Sequence, residues 1–210
     1  MGGDVLRWSE YRSMPWKNGG GTTREVASGA VRGPLGSVEP ADGYDWRVSV
    51  ADVDAGGPFS SFPGIDRVIT LVEGEGMVLT VDGTSQLVEP LRPFAFSGDA
   101  ETDCRLEAGA VRDMNVMTRR GRATAEVRIV TVAAAQGVEM ECAAGETLLV
   151  MAATEGIAVD GRPDGSGPDG RETALGRLDC VRHEGPGTLT LRGEGTVAEI
   201  RITAAHAVAV

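Results

Sequence analysis

The sequence predicts an all-β fold with little helix, arranged as two similar sandwich-like or barrel-like units, and three observations carry that prediction. Short apolar runs bounded by Gly, Pro or Asp recur along the chain. Apolar spacing of 3.6 residues, the mark of an amphipathic helix, is weak throughout. A β segment of the first half is echoed in the second.

The strand runs are Trp46-Arg47-Val48-Ser49-Val50-Ala51-Asp52-Val53, then Arg67 to Val72, then Met77 to Val81. Glu73-Gly74-Glu75-Gly76 separates the second from the third, and Asp82-Gly83 follows; both are turn chemistry, Asp-Gly suiting a two-residue hairpin. A doubly wound sheet would need helices between strands, which this spacing does not allow. The echo lays Val78-Leu79-Thr80-Val81-Asp82-Gly83 on Gly156-Ile157-Ala158-Val159-Asp160-Gly161. Further on, Asp113-Met114-Asn115-Val116-Met117-Thr118 falls opposite Ala198-Glu199-Ile200-Arg201-Ile202-Thr203, the extra residues of the second half fitting a Gly/Pro/Asp loop over 162–171. The similar units cover about 40–120 and 126–205, which divides the chain into 1–122 and 123–210.

A chain of 210 residues can bury a core without disulfides or metal. The net charge of -11 argues against nucleic acid or an anionic membrane as partner, since both need basic surface. Cys104, Cys142 and Cys180 are far apart with no CxxC, which points to a reducing compartment and to buried, unpaired thiols. No apolar signal-like segment or run long enough to span a bilayer occurs, so the expectation is a cytoplasmic protein. A homodimer through exposed strand edges is among the assemblies this reading allows.

Lys17 is the only lysine, set in Trp16-Lys17-Asn18-Gly19-Gly20-Gly21-Thr22-Thr23-Arg24-Glu25-Val26. An ammonium is a compact charge that fits where a planar guanidinium does not. The glycines permit backbone conformations that turn N–H groups toward an anion, with Lys17, Thr22 and Arg24 as added donors; the alternative is a tight glycine turn before a strand. The order of residues is not that of a Walker A loop or a dinucleotide fingerprint. Along Asp113-Met114-Asn115-Val116-Met117 side chains alternate, so Asp113, Asn115 and Met117 share one face. If that face points inward, Asp113 and Asn115 need partners, which a ligand or a cation supplies; otherwise they face solvent or pair with backbone. The aligned Ala198, Ile200 and Ile202 suggest that the second unit is filled with hydrocarbon while the first holds a pocket. In Phe59-Ser60-Ser61-Phe62-Pro63-Gly64-Ile65-Asp66-Arg67, Phe62 suits the apolar part of a ligand; Arg67 suits a carboxylate, an ion pair with Asp66 or Asp113, or solvent. The two histidines, His183 and His206, form no HxH or HxxxH pattern, and no G-x-S-x-G elbow exists, so neither metal nor a serine triad is expected.

Together the Trp16–Glu25 motif, Trp46-Arg47-Val48-Ser49, the Gly57–Arg67 segment and Asp113-Met114-Asn115-Val116-Met117-Thr118-Arg119 resemble the HutD/Ves family. The resemblance covers most of the first 120 residues, with the second half matching as a divergent β unit. It implies a bicupin: two cupin-like jelly-roll barrels in tandem, lacking the histidine metal ligands of typical cupins. It further implies a metal-independent, cofactor-free accessory or regulatory role in histidine utilisation, with formylglutamate, formiminoglutamate or urocanate as possible small anionic ligands. Positions matching the family motifs are Trp16, Lys17, Asn18, Gly19, Thr22, Arg24, Arg67, Asp113 and Asn115, to which the residue reading adds Gly20 and Phe62. The competing expectation is an enzyme, a deiminase, amidohydrolase or isomerase, with Asp113 as general base and Lys17 as acid or electrophile.

Overall fold

The computed structural model describes residues 4–16, 19–31, 43–160 and 172–205, and among them the one helical element is a 3-10 turn, Trp8–Glu10. Everything else regular is strand, in four sheets that fall into two compact units. One unit takes its described residues from Arg12–Thr124 and Ala205–Val210, the other from Met1–Tyr11 and Ala125–Ala204.

In the first unit a six-stranded sheet runs in the order Arg12–Pro15, Gly21–Gly29, Trp46–Val53, Val111–Arg119, Ile65–Glu73, Phe94–Ser97. A four-stranded sheet runs Gly57–Pro58, Thr102–Leu106, Met77–Val81, Thr84–Val88. The Asp82-Gly83 hairpin turns with φ of 46° and 80°, the two positive values that match the right-handed twist of its strands. Alternation decides what packs inward. Ala51, Val53, Ile69, Leu71 and Val111 from the large sheet meet Met77, Leu79, Val88 and Cys104 from the small one in one apolar core. That core fills one end of the unit, and the same face of the large sheet changes character toward the other end, where Arg47, Ser49, Arg67 and Asn115 replace hydrocarbon.

The second unit repeats the plan with a five-stranded sheet, Asp4–Leu6, Cys180–Glu184, Thr147–Ala152, Gly195–Ala204, Ala123–Val132, and a four-stranded one, Val138–Cys142, Gly187–Gly193, Ile157–Val159, Thr173–Leu175. Its edge strand comes from the amino terminus: Asp4–Leu6 pairs antiparallel with Cys180–Glu184. Asp179 fastens this segment, accepting from Arg7 Nη1 at 2.6 Å and from the Trp8 N–H at 2.8 Å. The Tyr11 hydroxyl donates to the Leu178 carbonyl at 2.9 Å.

The structure corrects the register of the internal repeat by one residue. Val197, Leu148, Val150 and Ala152 belong to the core of the second unit. Glu199 stands directly opposite Val150 and Arg201 opposite Leu148, so Val197, Glu199 and Arg201 point inward, while Ala198, Ile200 and Ile202 point the other way. A slip of one residue exchanges the two faces of a strand, and alternating apolar residues cannot reveal it when both faces are buried. The inward positions that correspond to Asp113 and Asn115 are therefore Glu199 and Arg201, not hydrocarbon. They are internally satisfied: Arg201 Nη2 pairs with Glu199 at 2.7 Å and Nη1 with Glu146 at 3.0 Å.

Candidate functional site

The polar end of the first unit is a cavity of about 590 Å³. Its floor is the large sheet. Asp113, Asn115 and Met117 from Val111–Arg119 point into it, flanked by Arg47, Ser49 and Ala51 on one neighbouring strand and by Arg67 on the other. Trp16, Phe59 and Phe62 form the walls.

Arg67 is 5% exposed and directly opposite Met117 on one side and Phe96 on the other. Its guanidinium carbon lies 4.8 Å from the Phe96 ring centre, 5.2 Å from Phe62 and 5.4 Å from Phe59, a cage of three aromatic rings. Such faces attract a cation within about 6 Å but leave its N–H groups unanswered. Among the described residues Arg67 Nε has no hydrogen-bond partner, nor have Asp113 Oδ1 and Asn115 Oδ1, although the latter two residues are 2% and 9% exposed. A buried polar atom left unpaired costs about 1–3 kcal/mol, more when charged. Three of them around one cavity form an unfilled set of contacts.

Burial pushes the Asp113 carboxyl up to about 7, with nearby Arg67 drawing it down and Asp52 adding to the rise. Burial likewise pushes Arg67 down to about 10, opposed by Asp113 and Tyr44. At neutral pH Arg67 is a cation and Asp113 stands near its midpoint.

The remaining sequence candidates separate. Trp16 lines the cavity, its indole N–H donating to Thr23 Oγ1 at 2.7 Å. Gly19 takes φ of 72° in the turn after Trp16, and its N–H donates to the Trp16 carbonyl at 3.1 Å. The Gly20 carbonyl accepts from the Asp54 N–H at 3.0 Å. Gly21 permits a close approach: a Cβ there would sit 2.3 Å from the Asp52 carbonyl and 3.1 Å from the Trp16 ring. Lys17 and Asn18 lie outside the described residues. Thr22 and Arg24 are a correction, because they do not reach the cavity. Thr22 stands opposite Asp52 and Arg24 opposite Val50, so both point to the face away from it, while Thr23 points in. There Arg24 and Arg112 both bond the Asp52 carboxylate, and Arg112 also pairs with Glu73 at 2.7 Å.

Arg47, Ser49, Thr23 and Phe59 were not singled out by sequence, yet line the same cavity. The alternation Trp46, Val48, Val50 against Arg47, Ser49, Ala51 is the signal that marks two of them. Arg47 Nε donates to Glu25 at 2.7 Å, so its charge is already matched. Among the described residues no group of three or more His, Cys, Asp or Glu side chains is arranged to hold a metal ion.

Fold and site define a class: an all-β protein of tandem cupin-like barrels, with a polar cavity in the barrel that comes first in the chain. Within that class the chain belongs to the HutD family, which it matches over residues 8–199. It is 37% identical over 183 residues to an uncharacterised 21.2 kDa protein from the hutC 3' region of Pseudomonas putida, covering 86% of each chain. It is 38% identical over 130 residues to protein Ves of Citrobacter koseri, covering 59% of this chain and 63% of that one. The structure of HutD from Pseudomonas fluorescens SBW25, described for a formate condition, superposes with a TM-score of 0.77 at 35% identity, covering 97% of this chain and all of that one.

Proposed function

We propose that the chain binds a small carboxylate derived from an amino acid in the cavity of the first barrel, as an accessory or regulatory component of histidine utilisation. The observation that carries this reading is Arg67: a buried guanidinium lining the cavity, held by three aromatic rings, whose Nε has no acceptor among the described residues. A carboxylate is the acceptor that a guanidinium fits best. Its charge replaces the water that burial removed from Arg67, and Trp16, Phe59 and Phe62 cover the carbon skeleton. Formiminoglutamate, formylglutamate and urocanate carry such a carboxylate, and the hut link rests on the names of the relatives.

Isothermal titration of each acid into the protein and into an Arg67→Met variant tests the reading. A charge-assisted hydrogen bond is worth about 1.5–3 kcal/mol, so the variant should bind at least about tenfold more weakly. Equal affinity in both proteins would refute it.

A second reading is favoured by one observation, the Asp113 carboxyl near 7 inside the cavity, the range in which a general base works at neutral pH. On that reading the bound acid is turned over, with Asp113 taking a proton. Release of ammonia or formate by the wild type, lost in Asp113→Asn, is its signature.

A further inference from the structure

The unpartnered atoms of the cavity are of two kinds. Among the described residues Arg67 Nε is a donor that lacks an acceptor, whereas Asp113 Oδ1 and Asn115 Oδ1 are acceptors that lack donors. They are also ordered along the sheet. Arg67 shares its rung with Met117, Asn115 stands one inward-facing position along the strand, and Asp113 stands two. Each such position advances about 6.6 Å. An elongated molecule lying along this strand meets a cation at one end and acceptors at the other.

A plain carboxylate completes only the Arg67 end and leaves the acceptors farther along the strand without donors. We propose that the ligand is a small acid whose far end carries N–H donors, an amidine, ammonium or imidazole, and that Asp113 is the residue that reads this end. The inference rests on the carboxylate reading above and adds the chemistry of the opposite end. Asn115 can present either side of its amide, so Asp113 carries the discrimination. An ionised Asp113 accepts from an N–H head and repels a carbonyl oxygen; only a protonated Asp113 can donate to one.

The charged and titratable groups around Asp113 leave it this role. Arg67 on the adjacent strand is caged by aromatic rings and forms no ion pair with Asp113 within 4 Å, Arg47 across the cavity floor is matched by Glu25, and Asp52 points to the other face, where Arg24 and Arg112 hold it. Cys104 comes from the facing sheet, its thiol pushed up to about 11 by burial with Asp113 and Asp103 adding. An amidine or ammonium head therefore binds best with Asp113 ionised, above its midpoint near 7, and a carbonyl oxygen gains a donor from Asp113 only below that midpoint.

Two probes of one skeleton separate these cases: N-formiminoglutamate ends in an amidine, a cation at neutral pH, where N-formylglutamate ends in a neutral amide, so they differ by a charge and by an N–H donor in place of a carbonyl oxygen. Titration calorimetry with both, from about pH 6 to about pH 8.5, should show the formimino acid binding at least about tenfold tighter at the alkaline end. Its advantage should shrink toward the acid end, and the ratio should fall to within about threefold in Asp113→Asn. The wild-type pH series stands alone if that variant fails to fold. Binding of both acids without preference at alkaline pH, or with the formyl acid preferred, overturns this inference and leaves the carboxylate reading intact. Binding of neither overturns both.

Discussion

Replacing Asp113 by Asn should change how stability depends on pH, and the size of the change follows from burial. The carboxyl is 2% exposed, and its midpoint in the folded chain is about 7. In the unfolded chain an aspartate ionises near 3.9. Below the unfolded value both states are protonated and the group is neutral toward folding. Between the two values the unfolded chain gives up its proton while the folded one keeps it, so folding becomes progressively less favourable, and above about 7 the cost is constant. At about 1.4 kcal/mol per pH unit the full cost is about 4 kcal/mol, of which about 2 to 3 kcal/mol accrues between pH 5 and 8. Urea unfolding of wild type and Asp113→Asn, followed by tryptophan fluorescence across that range, reads the difference directly. Asparagine keeps the shape and cannot ionise, and any cost of leaving Arg67 without a nearby negative charge is nearly independent of pH here, because Arg67 titrates only near 10. The stability gap should therefore move in favour of the variant by about 2 to 3 kcal/mol as pH rises from 5 to 8. Parallel curves would show that Asp113 ionises normally and that its burial argument fails.

Other positions give independent tests. Asp179→Ala removes the acceptor of Arg7 and of the Trp8 N–H. Because charge-assisted bonds are worth about 1.5–3 kcal/mol, proteolytic cleavage within the first eleven residues should quicken at least about tenfold while the remainder of the chain resists, and an unchanged rate would contradict the proposed anchoring. Gly21→Ala should destabilise by about 1–3 kcal/mol in urea, since its Cβ falls 2.3 Å from the Asp52 carbonyl between two paired strands; a neutral result would mean that the turn after Trp16 has room to spare.

How far the sequence reaches depends on which physical rule decides each residue. Strand alternation is local, so the shared face of Asp113, Asn115 and Met117 was legible before any pairing was known. The Asp82-Gly83 turn was legible because only a few residues tolerate its backbone angles. Arg24 was misplaced because its face depends on the register in which Gly21–Gly29 pairs with Trp46–Val53, which the glycine-rich sequence does not encode. Arg47 and Phe96 belong to the site through cross-strand register, Arg47 opposite Met117 and Phe96 opposite Arg67, which no local pattern encodes. The misaligned repeat has the same origin: Gly195–Ala204 buries both of its faces, so apolar residues mark neither side as the inner one. That three atoms lining the cavity lack partners among the described residues is a tertiary fact, which no local pattern encodes.

The most direct measurement is a crystal structure of the protein grown with formiminoglutamate. The carboxylate should lie within hydrogen-bond reach of the Arg67 guanidinium and the nitrogen end against Asp113. An occupied cavity with the ligand reversed, or a ligand bound on the Asp52 face with Arg67 untouched, would contradict it.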